Sequence, residues 1–440
     1  MIPFPVRSLD DPVWTPVGQA GFTANGAYSI ALELDSSGNP YILFADDAND
    51  NKATVMIFNG VSWELVGPAG FSADSVSNAF CSLTMAFDSS DTLYVAYRDI
   101  SVDDKATVMR FNGASWETVG PVGFTAGGVQ YLFLAIDGQD KPYVAFQDEA
   151  NSNKASVMMF NEDSWTLVGP AGISEGIASF TTLDFDSSHN PYLAYRDSFN
   201  SDGATVQKYT SGEGWQVLGS EAFSPGEVNF PVIQLNQLDV PYLAFADRYN
   251  GSEATVMYFN GSIWQLVGDP ALSTGISFSI PWYLSLKFDQ ANNPYITYAA
   301  QRIYAFYYDG SWHELGELPL VDVYSDFSAM DIADDGTVYV AFTDGGNADK
   351  ATVMSFAAGV QPTPTPTPTE AAPTPTPTLT PTGAAPTPTP TDTAPTPTPV
   401  DDQETNPQTG TTAVSSWMII GLFAFCVLIL ILSDRRPNRN

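Results

Sequence analysis

Seven tryptophans constrain this chain more than any other feature. Trp14, Trp63, Trp116, Trp165, Trp215, Trp264 and Trp312 follow one another at intervals of 49, 53, 49, 50, 49 and 48 residues. A fixed period of this size marks a repeat architecture, in which one supersecondary unit buries its apolar face only against its neighbours. Trp282 and Trp417 stand outside the register.

Each period reads alike. The one starting at Trp63 runs WELVGPAGF, a variable stretch, SLTMAFDSSDTLYVAYRD, a loop and KATVMRFNGASW. It holds four short runs rich in Val, Tyr, Phe, Thr and Trp, at 83–87, 93–98, 106–111 and 115–120. Such runs are strand signals. The separators are turn formers: DSSGNP at 35–40, Asn-Gly at 59–60, 112–113 and 260–261, and Asp-Gly at 309–310. Asn-Gly and Asp-Gly tolerate the positive φ that tight hairpins need. No long segment before residue 400 has the 3.6-residue period of a helix.

Four antiparallel strands in about 49 residues describe one blade of a β-propeller. The second-strand tyrosines Tyr41, Tyr94, Tyr143, Tyr192, Tyr242, Tyr295 and Tyr339 count seven blades. The seventh ends at 351–356 without a Trp-containing strand, while the first such strand, 13–18, precedes blade one. The two deficits cancel if residues 13–18 complete blade seven. A linear solenoid would leave both ends as exposed edges, so a closed ring is expected. The expected fold is therefore all-β: a seven-bladed propeller over residues 13–360, after a short N-terminal segment, 1–12.

The run from Asp35 to Asp46, D-x-x-G-x-x-Y-x-x-x-x-D, resembles bacterial propeller repeats of the NHL and kelch-like kind. It has neither the Gly-Gly signature of kelch nor the GH…WD signature of WD40 repeats, and no sialidase S-x-D-x-G-x-T-W box. The resemblance covers 13–356 and implies an architecture, not an activity.

Beyond Gln361 the composition changes to alternating Pro and Thr up to Pro399. Such a tract favours polyproline II, and 39 residues at about 3.1 Å each would extend roughly 120 Å. This predicts a stalk over 361–405. The pentapeptide Asn406, Pro407, Gln408, Thr409 and Gly410 follows, then a largely apolar stretch, 411–432, then a basic tail, 433–440, with Arg435, Arg436 and Arg439. The apolar stretch is long enough for a transmembrane helix, and the arginines would keep the C-terminus cytoplasmic and the propeller outside. In order, these three parts resemble the sorting signal of sortase substrates, usually LPxTG or NP-x-T-x. The resemblance implies cleavage between Thr409 and Gly410 and transfer of Thr409 to a cell-wall amine. A plain membrane anchor is the simpler alternative. Export calls for a signal peptide, and residues 1–12 have no apolar core of the needed length, so the start is expected to lie upstream of Met1.

Charge narrows the partners. The chain has 16 Lys+Arg against 50 Asp+Glu, a net of −34. Six acids and three bases fall after residue 360, so the propeller itself carries −31. Such a surface repels phosphate backbones and excludes nucleic acid. Two cysteines and two histidines exclude a disulfide framework and a Cys-rich zinc site and leave little for His-based catalysis. Neither His189 nor His313 has a triad partner evident in the sequence, and no nucleophile-elbow, zincin or phosphate-loop motif occurs.

Four sets of residues stand out. An Asp opens the loop between second and third strands in six blades: DDANDNK (46–52), DISVDDK (99–105), DEANSNK, DSFNSDG, DRYNGSE and DGGNADK. Oxygen-rich loops suit Ca²⁺, the one cofactor left open, with Asp46, Asp50, Asp99, Asp103 and Asp104 as its candidate ligands. The simpler reading is an Asp that fixes the hairpin. Arg98, Arg196 and Arg248 flank that loop, where local Arg–Asp pairing accounts for them. Twelve residues before the repeat tyrosine stand Tyr131, Phe180, Phe230, Tyr283 and Phe327, with Tyr28 and Phe80 slightly displaced. They either stack sugars at a channel mouth or fill the wedges between blades. On the same strand, Glu33, Asp184, Gln234, Lys287 and Asp331 fall where the other blades have small residues, and are expected to line the channel. Asp184 and Asp331 are the candidate carboxylate pair if the protein cleaves glycosides. Blade six departs from the repeat, with Trp282, Tyr283, Arg302 and Tyr304 as candidate ligand contacts.

These features predict a cell-surface binding or adhesion module on a stalk, with a glycan or protein as ligand. A surface polysaccharide hydrolase or lyase, or an envelope scaffold, would carry the same architecture.

Overall fold

The computed structural model describes residues 13–76, 82–251, 253–269, 282–318, 320–321 and 323–357. Residues 1–12, the stalk, the NPQTG motif, the apolar stretch 411–432 and the basic tail lie outside the described residues. No helix among the described residues is long and apolar enough to cross a membrane.

The protein is a seven-bladed all-β propeller. Seven four-stranded antiparallel sheets repeat one plan. In blade one the strands are Ala27–Leu34, Pro40–Asp46, Lys52–Phe58 and Trp63–Leu65. Blade seven takes Ser325–Ile332, Val338–Asp344 and Lys350–Phe356 from the end of the repeat and Thr15–Pro16 from its start. Thr15 faces Ser355, Pro16 faces Met354, and Val17 N–H donates to the Val353 carbonyl at 2.8 Å. The expected ring closure is present.

The repeating tryptophan is a staple between blades. Each indole Nε1 donates to the backbone carbonyl of the residue just after the preceding blade's outer strand: Trp63 to Val17, Trp116 to Val66, Trp165 to Val119, Trp215 to Val168, Trp264 to Leu218 and Trp312 to Val267, at 2.7–3.1 Å. Trp14 does the same to Leu315 at 2.7 Å, which makes it blade seven's own staple. The glycine after each of these carbonyl residues is explained by the same contact. Gly120, for example, has φ +76°, and a Cβ there would come within 3.0 Å of the Phe160 and Trp165 rings. The core lies between adjacent sheets and is built around second-strand residues such as Phe44, Val95, Phe146, Tyr195, Phe245, Tyr298 and Phe342, all nearly inaccessible.

The Asp loops serve their own hairpins. Asp46 caps a short 3₁₀ turn: Oδ1 accepts from Ala48 N–H at 3.0 Å, while Oδ2 accepts from Asn49 Nδ2 at 2.8 Å and Thr54 Oγ1 at 2.9 Å. Asp99 accepts from Ser101 N–H and Oγ and from Thr107 Oγ1. Asp148, Asp197 and Asp344 repeat the arrangement, and Asp247 keeps the Tyr249 N–H and Asn250 Nδ2 bonds without the third-strand hydroxyl. Asp50 and Asp103 end the turn in the left-handed region, and Asp104 pairs with Arg98 at 2.9 Å. Arg196 pairs with Asp202 and Glu227, and Arg248 with Glu227. Among the described residues no cluster of three or more His, Cys, Asp or Glu could hold a metal ion.

Candidate functional site

The innermost strands of the seven blades surround a central cavity of about 540 Å³. Their direction follows from register. The first residue of each described full-length inner strand faces the repeat Asp (Ala27 with Asp46, Ala178 with Asp197, Ser325 with Asp344), and the last faces the start of the second strand (Leu34 with Pro40). One end of the channel therefore opens among the Asp loops and the other among the DSSGNP-type turns.

At the Asp-loop end, six inner strands carry a register shift: between Tyr28 and Ala31, Gln130 and Phe133, Ser179 and Thr182, Asn229 and Val232, Trp282 and Ser285, and Asp326 and Ala329. Within each bulge one residue has positive φ: Ser29 53°, Tyr131 51°, Phe180 55°, Phe230 51°, Tyr283 52° and Phe327 50°. This region is costly for a bulky side chain, on the order of 1–3 kcal/mol each, and persists where surrounding structure over-determines it. The bulges bring rings from successive blades into contact. Centroids lie 4.5 Å apart for Tyr131–Phe180, 4.6 Å for Phe180–Phe230, 5.8 Å for Phe230–Tyr283, 4.4 Å for Tyr283–Phe327 and 6.3 Å for Phe327–Tyr28. Six blades thus contribute to one aromatic arc, of which Phe180, Phe230 and Tyr283 line the cavity.

Toward the other end the wall becomes polar. Lys287 Nζ lies 3.3 Å from Asp331 and 3.4 Å from Glu33, joining blades six, seven and one. Asp331 Oδ2 also accepts from Leu34 N–H at 2.9 Å. Beyond them, Asp184 Oδ1 accepts from Phe185 N–H at 2.8 Å, and Oδ2 from Gln234 Nε2 at 2.9 Å and Leu235 N–H at 2.5 Å. Blades two and three have Ala86 and Ala135 at this level, so the polar groups that line the cavity are Glu33, Asp184, Gln234 and Lys287, with Asp331 joined to them through Lys287.

Enclosure sets the electrostatics. Burial pushes Glu33 up to about 7, opposed by Lys287 and reinforced by Asp331. Burial pushes Asp184 up to about 6, opposed by the N–H groups of Leu235 and Phe185. Burial disfavours the Lys287 ammonium, but Asp331 and Glu33 outweigh it and hold its pKa above the ordinary lysine value. The channel therefore holds two acids that titrate near neutrality beside one firmly charged lysine.

The residues singled out in blade six separate. Tyr283 sits in the aromatic arc and its carbonyl accepts from Ser328 Oγ at 2.9 Å. Tyr304 is only 7% exposed and stacks on Tyr298 at 5.5 Å, within the core between blades five and six. Arg302 is exposed, at the tight turn that replaces the Asp loop, where Ala300 N–H donates to the Arg302 carbonyl at 2.8 Å. The Trp282 backbone pairs with Ala299, and its side chain lies outside the described residues. Asp184 and Asp331 sit three blades apart, each with its own partners. His313 touches Asp309 and Ser311 through the same nitrogen, Nε2, on an exposed hairpin, which leaves no relay of the triad kind. Sequence reasoning placed the polar residues in the channel. It missed the ion-pair network around Lys287 and the bulge that turns the aromatics.

No protein-family model and no curated protein matches this chain. Solved structures match it in shape. The BP39L lectin from Burkholderia pseudomallei superposes with a TM-score of 0.56 at 14% identity, covering 76% of this chain and 97% of the lectin. A polysaccharide lyase, an ulvan lyase bound to -[GlcA(1-4)Rha3S]-, superposes with a TM-score of 0.52 at 12% identity, covering 77% and 95%. At such identities the likeness shows the propeller fold alone.

Proposed function

We propose that this protein is a non-catalytic saccharide-binding module presented at the cell surface, with the central channel as its site. One observation carries the reading: a single cavity has an aromatic arc at one end and an arc of carboxylates, amide and ammonium at the other. Sugar rings offer apolar C–H faces for stacking and hydroxyls that donate to carboxylates and accept from ammonium and amide groups. A lectin and a polysaccharide lyase on the same architecture are in keeping with it. A surface hydrolase or lyase is the second reading, favoured by the raised pKa values of Glu33 and Asp184 in one cavity. The C-terminal sequence supplies the anchor, as a sortase substrate joined to a wall amine through Thr409, and the Asp35–Asp46 run aligns the repeat with NHL and kelch-like propellers.

A glycan array probed with the full chain, with and without Ca²⁺, tests the binding reading. Saccharide binding that Phe180→Ala reduces about fivefold or more is expected, since stacking on one aromatic contributes ~1 kcal/mol or more. A silent array would remove this reading, and turnover of a bound polysaccharide would move the assignment to the enzyme. Fractionation tests the anchor: Thr409→Ala should shift the protein from wall to membrane, and an unchanged distribution argues against sortase.

A further inference from the structure

We propose that the polar end of the channel selects a saccharide carrying a free primary amine, an amino sugar, by pairing its ammonium with Asp184. This rests on the saccharide reading above and names the substrate class of that site.

The argument starts from the distribution of charge around the cavity. Lys287 is the one cationic side chain among the described residues that line it, and its ion pairs go to Glu33 and Asp331. Asp184 receives only neutral donors at bonding distance: two backbone N–H groups and the Gln234 amide. Lys287 acts on it only at longer range. An ionised carboxylate can accept about four hydrogen bonds, and three are made, so one direction on Asp184 remains for a ligand. A carboxylate enclosed without a cation is costly, and an incoming ammonium repays that cost with a charge-assisted bond.

Other saccharide chemistries fit less well. A uronate or sulfated sugar would bring a like charge to Asp184, inside a propeller that already carries −31. A neutral or N-acetylated sugar can donate a hydrogen bond to Asp184 but leaves the charge uncompensated. The aromatic arc lies at the other end of the channel, so it stacks a neighbouring ring of an oligosaccharide and takes no part in holding the amine at Asp184. The cavity volume falls in the range of sites that hold small ligands.

Calorimetric titration of the full chain with three tetrasaccharides tests the proposal: fully deacetylated glucosamine, its N-acetylated counterpart, and galacturonate. At about pH 6.5, more than a unit below the ~7.7–8.0 of an α-amino group, a good share of the sugar amines carries a proton while Asp184 is mainly ionised. The deacetylated ligand should bind at least about tenfold more tightly than the acetylated one, and galacturonate should not bind. Asp184→Asn should erase that preference while N-acetylated binding persists, and Asp184→Glu should retain it. Should Asp184→Asn fail to fold, the ranking of the three ligands on the wild-type chain decides alone. Equal binding of the acetylated and deacetylated ligands, or tighter binding of galacturonate, overturns the amine preference and leaves the saccharide site standing. Binding of none of the three overturns the amine preference, while the saccharide reading falls only with a silent array.

Discussion

Lys287→Met should destabilise the folded chain by about 2–4 kcal/mol at pH 8, somewhat below the ~3–5 kcal/mol typical of breaking a fully buried pair, because the channel admits water. The lysine stands between Glu33 and Asp331, and without it two carboxylates face each other in an enclosed space. The loss should shrink markedly at pH 5, where Glu33 can keep its proton. The wild type carries a weaker form of the same dependence. Glu33 and Asp184 have folded-state pKa values raised to about 7 and about 6, so the folded state holds protons that the unfolded chain releases. Their contribution favours folding at low pH and is lost as pH rises from about 4 to 7. Lys287, raised above its ordinary value, keeps its contribution throughout that window. Denaturant titrations of both proteins at pH 5 and pH 8 check this. A loss equal at the two pH values would mean that the lysine is merely packed.

Trp14→Ala should cost about 3 kcal/mol, as much as Trp165→Ala in the middle of the repeat. A tryptophan ahead of the first complete blade would ordinarily be dispensable. Here its Nε1 holds the Leu315 carbonyl, its ring packs on Phe356 at 5.2 Å, and Gly316 leaves room beneath it. Removal of residues 13–18 should do more. It strips the fourth strand from blade seven, exposes the edge of Lys350–Phe356, and takes Val17 from the core. The single unfolding transition should then broaden or split, as expected when a ring becomes an open array. Calorimetric unfolding reads both variants. A Trp14→Ala protein within about 0.5 kcal/mol of wild type, the range of a surface substitution, would contradict the closure.

Much of this architecture is legible because the repeat states it seven times. The tryptophan spacing gives the period, the second-strand tyrosines give the blade count, and the unmatched strands at 13–18 and 351–356 give the closure. The bonding partner of each tryptophan is not legible, since a carbonyl in the preceding blade has no sequence signature. In the channel, strand parity separates Glu33, Asp184, Gln234, Lys287 and Asp331 from the buried Leu32, Leu183, Leu286 and Met330 on the opposite face. Parity says nothing about which blades meet. Lys287 reaches Glu33 across 254 residues only because the ring closes between blades seven and one. The bulge is hidden for a different reason. Tyr131, Phe180 and Phe230 look like ordinary strand aromatics, and only the backbone reveals that each stands at positive φ and turns toward its neighbours. In blade six, Tyr283 and Tyr304 share a departure from the repeat but belong to different strands, one at the channel and one in the core.

The central claim is that the channel between the aromatic and polar arcs is the ligand site. A crystal structure of the full chain grown with a saccharide that binds it on the array tests this directly. The expected result is a sugar ring within stacking distance of Phe180, Phe230 or Tyr283, with a hydroxyl or amine on Asp184. A saccharide seated in the clefts between blades, with the channel holding only water, would contradict it.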